Sequence, residues 1–203
     1  MDRTLDTLLQ HPGLWRPGER PVHPLRSLPT RVPALDAALP GGGLPVGAVT
    51  EVLNTGIGVG ELSLLLPALA GLSCSGSQVV WVAPPHLPYP PALQQAGVAL
   101  ERLLCLQPAS PDESLWAAEQ CLRSGVCGAV LVWLDDIDTT AIRRLQLAAE
   151  SGDSCCLLLR DAHRAANASP AALRLWVGSD GMRRQLRVLK CRGGQPQDVA
   201  LAA

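Results

Sequence analysis

Residues 48–63, AVTEVLNTGIGVGELS, follow the order of a nucleotide-binding P-loop: a strand, a glycine-rich loop and the start of a helix. In the P-loop consensus, G-x-x-x-x-G-K-[ST], backbone N–H groups surround the phosphates, the lysine neutralises them and the hydroxyl holds Mg²⁺. Aligned on Gly60, this chain has Thr55 in place of the first glycine. Glu61 replaces the lysine and Leu62 replaces the serine or threonine.

These replacements predict a loop that keeps the scaffold of a nucleotide site without its chemistry. A carboxylate at the lysine position repels a triphosphate, and unit charges about 4 Å apart interact by roughly 4 kcal/mol at an effective dielectric constant near 20. We therefore expect that the protein does not bind ATP tightly in the usual pose, that it is not an enzyme, and that it carries no cofactor.

A second element of a nucleotide site follows the apolar run 129–134, which ends in Asp135. In P-loop proteins an acid at the end of such a strand, the Walker B residue, holds the Mg²⁺. Each signal also has a simpler interpretation. Gly56, Gly58 and Gly60 suit an ordinary turn, and aspartate is common wherever a strand leads into a helix. Together the two elements favour the nucleotide-site interpretation.

Strand and helix patterns alternate along the chain, which predicts a mostly parallel sheet with helices on both faces. The predicted strands are 48–53, 78–83, 102–106, 127–134 and 154–160, and a terminal hairpin is predicted at 173–177 and 185–190. The predicted helices are 33–39, 61–72 with Pro67 as a kink, 91–97, 110–125 and 139–150. We expect three segments: an N-terminal helix and proline-rich arm at 1–33, a core at 34–192 and a C-terminal tail at 193–203.

Composition limits the class of protein. The chain has 203 residues, 47% of them hydrophobic, which suits one α/β domain. No apolar run approaches the roughly 20 residues of a membrane span, and the first residues lack a signal-peptide core, so we expect a cytoplasmic protein. The seven cysteines include no C-x-x-C pair, and the four histidines show no metal-ligand spacing, so we expect neither a disulfide framework nor a metal site.

The C-terminal end is basic, although the whole chain has a net charge of −1. Its cations are a candidate contact for an acidic partner or, weakly, for DNA. An equally weighted alternative is a solvated terminal strand. The cations are Arg183, Arg184, Arg187, Lys190 and Arg192.

The sequence of residues 28–56, LPTRVPALDAALPGGGLPVGAVTEVLNTG, resembles the entry to the core of RecA/RadA recombinases. The chain more closely resembles the ImuA family, SulA/RecA-like proteins of bacterial mutagenesis cassettes. That likeness rests on GLWRPGE, LDAALPGGGLPVGAVTEVL, GELSLLLPALA, SPAALRLWV and VLKCRGGQP, at 13–19, 35–53, 60–70, 169–177 and 188–196. It implies a RecA-like P-loop fold with a degenerate nucleotide site.

The resemblance also implies a function and partners. Such proteins serve SOS-induced translesion DNA synthesis as non-catalytic accessory proteins. The implied partners are RecA, an ImuB-like Y-family polymerase homologue and an error-prone replicative-type polymerase subunit. One alternative is a SulA-type cell-division inhibitor, which shares the degenerate fold and binds FtsZ. A further alternative is an active P-loop ATPase.

Two further features follow from the recombinase likeness. In recombinases a segment before the core adds to the sheet of a neighbouring subunit, so Leu14 and Trp15 are a candidate docking anchor, and self-association is left open. The alternative is that Trp15 folds back onto its own core. Arg160, Arg164 and Arg174 flank the region where recombinases place mobile DNA loops, and exposed helical positions explain them equally well.

Overall fold

The computed structural model describes residues 26–179 and 184–201. The strands are β1 (Ser27–Leu28), β2 (Leu44–Pro45), β3 (Ala48–Asn54), β4 (Gln78–Val82), β5 (Leu103–Leu106), β6 (Cys127–Trp133), β7 (Cys155–Asp161), β8 (Leu173–Ser179), β9 (Arg184–Cys191) and β10 (Gln197–Val199). The α-helices are α1 (Pro33–Ala38), α2 (Glu61–Cys74), α3 (Pro90–Gln95), α4 (Pro111–Arg123) and α5 (Thr139–Gly152). Short 3-10 helices lie at Leu100–Arg102 and Ala162–Ala166.

Eight of these strands form one sheet in the order β10-β9-β8-β3-β7-β6-β4-β5. The strands from β8 to β5 are parallel, whereas β9 and β10 are antiparallel additions at one edge. Helices α1, α2 and α3 contribute to the apolar core on one face of the sheet, and α4 and α5 contribute to the core on the other. The predicted mostly parallel sheet with helices on both faces is confirmed.

Helix α4 begins as its sequence predicts. The Ser110 Oγ accepts a hydrogen bond from the Glu113 N–H at 3.2 Å, and the Glu113 carboxylate accepts one from the Ala109 N–H at 2.9 Å. These reciprocal bonds satisfy donors that the first turn of a helix leaves unpaired. Helix α2 continues past Pro67 to Cys74.

Three short strands are absent from the sequence prediction. Strands β1 and β2 pair with each other, and β10 adds residues of the predicted C-terminal tail to the edge of the main sheet. Strands of two or three residues are too short to show an alternating pattern, so only their partners reveal them. No helix in the described ranges is both long and apolar enough to cross a membrane.

A buried ion triad lies at the centre of the sheet. Glu51 of β3 is fully buried, and its Oε1 lies 2.8 Å from Nη1 of Arg160 on β7. Its Oε2 lies 2.6 Å from Nε of Arg174 on β8. Arg160 is 5% exposed and Arg174 is 7% exposed. The expectation of exposed helical positions for these two arginines is therefore wrong, because each lies on a strand and its guanidinium is committed to the buried carboxylate.

The remaining donors of the triad hold the loops at the carboxyl ends of the strands. Arg160 donates to the carbonyl oxygen of Asp135 at 2.7 and 3.1 Å and to that of Ile137 at 3.1 Å. Arg174 donates, at 2.9 to 3.2 Å, to three carbonyl oxygens of the segment that follows β7, those of Arg164, Ala165 and Asn167. The triad thereby fixes the loops after β6 and β7 to the sheet.

We expect Glu51→Ala to lower the free energy of unfolding by about 3–5 kcal/mol, because it leaves two buried guanidinium groups without their counter-charge. Urea denaturation followed by circular dichroism measures the change. Glu101→Ala, at an exposed carboxylate, is the control and should change stability by less than about 0.5 kcal/mol. A loss below about 1 kcal/mol for Glu51→Ala would contradict the structural role of the triad.

Candidate functional site

The glycine loop joins the end of β3 to the N-terminus of α2. Gly58 and Gly60 have positive φ angles of 81° and 102°, and Gly60 is the N-cap of the helix. A residue with a side chain is strained in these conformations, so glycine is required for the turn. The exposed Thr55 begins the loop, and its backbone N–H donates to the carbonyl oxygen of Val177 on β8 at 3.1 Å.

Glu61 folds back into the loop instead of pointing into solvent. It is only 4% exposed, and its Oε1 accepts a hydrogen bond from the backbone N–H of Gly58 at 3.3 Å. Its Oε2 has no hydrogen-bond partner within the described residues. Backbone N–H groups of such a loop, at the N-terminus of a helix, favour an anion. The carboxylate of Glu61 thus supplies an internal negative charge at this position.

The residue after Glu61 does not provide a metal-binding hydroxyl. Leu62 is partly buried and packs against the apolar core that α2 shares with the sheet. The nearest hydroxyl in sequence, that of Ser63, donates to the carbonyl oxygen of Gly60 at 2.8 Å and accepts from Nη1 of Arg184 at 2.6 Å. This hydroxyl is therefore engaged within the protein.

The guanidinium of Arg184, which lies on β9, reaches the glycine loop. Arg184 is more than 100 residues from Ser63 in sequence. A Cβ atom placed on Gly60 would lie 2.5 Å from the Arg184 Cδ, so the two residues are in close contact. The sequence suggested Arg184 only as part of the basic C-terminal end. No local pattern links it to the loop, because the contact depends on the position of β9 in the sheet.

Asp135 follows β6, and its carboxylate is bound by neighbouring protein groups. Oδ2 accepts from Nη2 and Nε of Arg164 at 2.9 and 3.1 Å, and Oδ1 accepts from the Asp161 N–H at 2.9 Å. His163 lies beside this group, with its Nδ1 2.7 Å from Oδ1 of Asp161. No spacing motif connects His163 to Asp135, so this contact could not be predicted from the sequence.

An open hollow of about 320 Å³ lies between the glycine loop and the ends of β6 and β7. Asn54, Gly56, Trp133, Asp135 and Arg160 contribute to its wall. Arg160 is committed to the buried triad. No group of three or more histidine, cysteine, aspartate or glutamate side chains suited to hold a metal ion occurs in the described part of the chain.

The other predicted contact residues are dispersed. Leu14, Trp15 and Arg183 lie outside the described residues. Arg187 lies three residues after Arg184 on β9, so the two side chains point to opposite faces of the sheet.

On that side, Arg187 pairs with Asp198 at 2.8 Å, and its guanidinium lies 5.8 Å from the ring centre of Trp176. Lys190 donates to the carbonyl oxygen of Ser169 at 2.8 Å, and burial together with nearby Arg174 lowers its pKa. Arg192 is exposed. The described cations therefore do not form one continuous surface with Arg184.

The parallel sheet, the glycine loop and the acid at the end of β6 define an α/β protein with a RecA-like fold. Two curated relatives are RecA proteins. That of Streptomyces avermitilis is 34% identical over 142 residues, which are 70% of this chain and 37% of that protein. That of Salinispora tropica is also 34% identical, over 70% of this chain and 40% of that protein. The chain thus spans about two fifths of the length of these curated relatives.

A family model described as the cell division inhibitor SulA matches residues 47–156, just over half of the chain. The chain belongs to the SulA family. Among solved structures, SulA from Pseudomonas aeruginosa is 30% identical, with a TM-score of 0.47, and the match covers 55% of this chain and 96% of that one.

Asp135 should make stability depend on pH in acid. Partial burial raises its pKa, but the hydrogen bonds from Arg164 and from the Asp161 backbone outweigh burial and hold the pKa below its usual value. A lowered pKa in the folded state stabilises the protein above the unfolded-state value, about 3.9, and this contribution is lost as the pH falls toward the folded-state pKa.

We therefore expect the free energy of unfolding to fall less steeply below about pH 4 in Asp135→Asn than in the unmodified protein, as measured by urea titrations at several pH values. Asp112→Asn, on the exposed first turn of α4, is the control variant. Equal slopes in all three proteins would mean that the contacts of Asp135 do not favour its charged form.

Proposed function

We propose that this protein is a non-catalytic RecA-like accessory protein of SOS-induced translesion DNA synthesis that binds RecA, an ImuB-like Y-family polymerase homologue, or both. The observation that carries the proposal is the carboxylate of Glu61 held in the glycine loop at 3.3 Å from the Gly58 nitrogen. The error-prone replicative-type polymerase subunit is an indirect partner in this proposal. The proposed function implies a cytoplasmic protein.

Three features support the absence of ATP hydrolysis. The buried Glu61 places negative charge where an ATPase has its phosphate-binding cation. Leu62, which packs on the core, cannot coordinate Mg²⁺. Asp135 is bound by Arg164 and by a backbone N–H, so these contacts compete with any metal-bound water. Each feature acts on a different requirement of phosphoryl transfer.

The likeness to RecA along 142 residues supports a binding role. A protein that keeps a RecA-like core without turnover can present a surface similar to that of a RecA subunit and occupy an interface in its assemblies. Exposed apolar side chains lie near β5: Leu104 and Val126 line one hollow, and Trp116 of α4 lines another together with Leu106 of β5. Exposed apolar residues that lie close together are typical of protein interaction sites.

The N-terminal arm and the basic end extend this proposal. Leu14 and Trp15 would act as an anchor on a partner, in the manner of a strand added to a neighbouring sheet. Arg183, Arg187, Lys190 and Arg192 would contribute weak contacts to DNA or to an acidic protein, and such contacts weaken as salt increases. Self-association through the arm is an additional expectation.

A second candidate function is inhibition of cell division by binding FtsZ. The observation that favours it is the match of residues 47–156 to the family model described as the cell division inhibitor SulA. In this alternative the RecA-like core serves as the scaffold for an FtsZ-binding surface.

We expect no ATP turnover above background in the presence of single-stranded DNA, measured at steady state with the purified protein. Glu61→Lys should remain inactive, because Leu62 still cannot hold Mg²⁺. Glu61→Lys/Leu62→Thr is the matched variant that restores both consensus residues. A measurable rate that disappears in Asp135→Ala would contradict the proposal and favour an active ATPase.

We expect the protein to associate with RecA filaments or with the ImuB-like protein but not to inhibit the GTPase of FtsZ. Binding to all three partners is measured in parallel by surface plasmon resonance. Trp15→Ala should weaken the repair-protein complex by more than roughly 1–2 kcal/mol if the arm is an anchor.

Trp116→Ala tests the β5 edge in the same assay. Weaker binding in Trp116→Ala would indicate an interface on the core, whereas weaker binding in Trp15→Ala alone would indicate one on the arm. Inhibition of FtsZ without affinity for either repair partner would overturn the translesion proposal in favour of the SulA-type function.

A further inference from the structure

Cys121 and Cys127 come together at the turn between α4 and β6. Cys121 lies in the last turn of α4, which ends at Arg123, and Cys127 is the first residue of β6. Gly125 has a φ angle of 72°, which reverses the chain between them. Six positions apart in sequence, the two side chains line the same hollow.

Ser124, which lies in the turn, contacts both cysteines. The Ser124 Oγ donates to the carbonyl oxygen of Cys121 at 2.7 Å and lies 3.6 Å from the Sγ of Cys127. The hydrogen bond from Cys121 lowers the pKa of Cys127 to about 6 against the opposing effect of burial. The same contact raises the pKa of Cys121. The opposite pKa shifts make Cys127 the more acidic of the two thiols and therefore the candidate nucleophile.

Cys121 is half-buried and Cys127 is only 6% exposed, and one open hollow connects both side chains to solvent. Both residues line an open, mostly apolar hollow of about 320 Å³ beside the sheet edge, together with Val80 and Leu104. By contrast, the adjacent Cys155 and Cys156 are fully buried, and burial raises the pKa of each thiol. Oxidation of a thiol depends on its thiolate character and its access, and Cys121–Cys127 combines both with a neighbouring second thiol.

We propose that Cys121 and Cys127 form a modification site at which a hydroperoxide oxidises the two thiols to a disulfide. The Cys127 thiolate attacks one peroxide oxygen, the O–O bond breaks, and hydroxide leaves to give a sulfenic acid. The Cys121 sulfur then attacks the Cys127 sulfur, the S–O bond breaks, and the leaving hydroxide takes the Cys121 proton as water. With hydrogen peroxide, two thiols and one peroxide give one disulfide and two waters.

The disulfide would join the end of α4 to the start of β6, two elements that pack on the same apolar core. In a reducing cytoplasm such a bond is reversible by thiol exchange. The two cysteines line the same hollow as the exposed apolar residues Leu104 and Val126, so a disulfide between them would change the shape of that surface. This inference does not depend on the proposed partners of the protein.

Tryptic mapping of the full chain tests the proposal, because Arg123 separates the two cysteines. Trypsin produces the peptides 103–123, which contains Cys105 and Cys121, and 124–143, which contains Cys127. After brief treatment of the folded protein with hydrogen peroxide and alkylation of the remaining thiols, we expect these peptides to appear as one disulfide-linked species. Dithiothreitol should separate them.

Cysteine variants identify the partners in the linked species. Cys105 packs on the opposite face of the sheet from Cys121, so Cys105→Ser should retain the link. Cys121→Ser should abolish the link. Because Cys121 is partly exposed, this variant is expected to fold, so the test remains valid even if Cys127→Ser does not fold. A link that persists in Cys121→Ser would overturn the proposal. So would its absence from the unmodified protein while the exposed Cys74 is oxidised.

Discussion

The buried carboxylate of Glu51 and the two guanidinium groups around it are the constraint on which the site end of the molecule depends. Burial of three charges is costly, and good hydrogen-bond geometry must compensate for it. Here both carboxylate oxygens are used, and the remaining arginine donors satisfy backbone carbonyls in two loops. The sheet, the loop after β6 and the segment after β7 are thereby held as one unit, which fixes where Asp135 lies.

Charged side chains are also bound by other groups of the same chain at the glycine loop and at the end of β6. Glu61 accepts a hydrogen bond from a backbone N–H of the loop. Arg184 donates to the Ser63 hydroxyl, and Arg164 donates to the Asp135 carboxylate. Polar groups at the positions that serve a ligand in a nucleotide-binding protein are contacted here by neighbouring parts of the chain, and Oε2 of Glu61 is left without a partner among the described residues. This arrangement stabilises the loops, and it reduces the number of free groups available to a phosphate or a metal.

Membership of the SulA family and the likeness to RecA describe the scaffold better than they describe the function. One fold can support different functions, because function depends on particular sites and surfaces. In this chain the exposed apolar residues at the β5 edge are such a surface, and the thiol pair beside it is another chemical feature of the same region. Both lie away from the glycine loop, at the opposite side of β6.

The sequence by itself determined the local elements and their arrangement as a mostly parallel sheet, since hydrophobic periodicity, the glycine run and the Ser110 cap act over short distances. It also determined which consensus residues the glycine loop lacks. Only the tertiary structure decided that Arg160 and Arg174 are buried with Glu51, from which they are 109 and 123 residues distant in sequence. It likewise decided that Arg184 crosses the glycine loop. These contacts depend on which strands become neighbours, and no local pattern encodes the pairing of charges across adjacent strands.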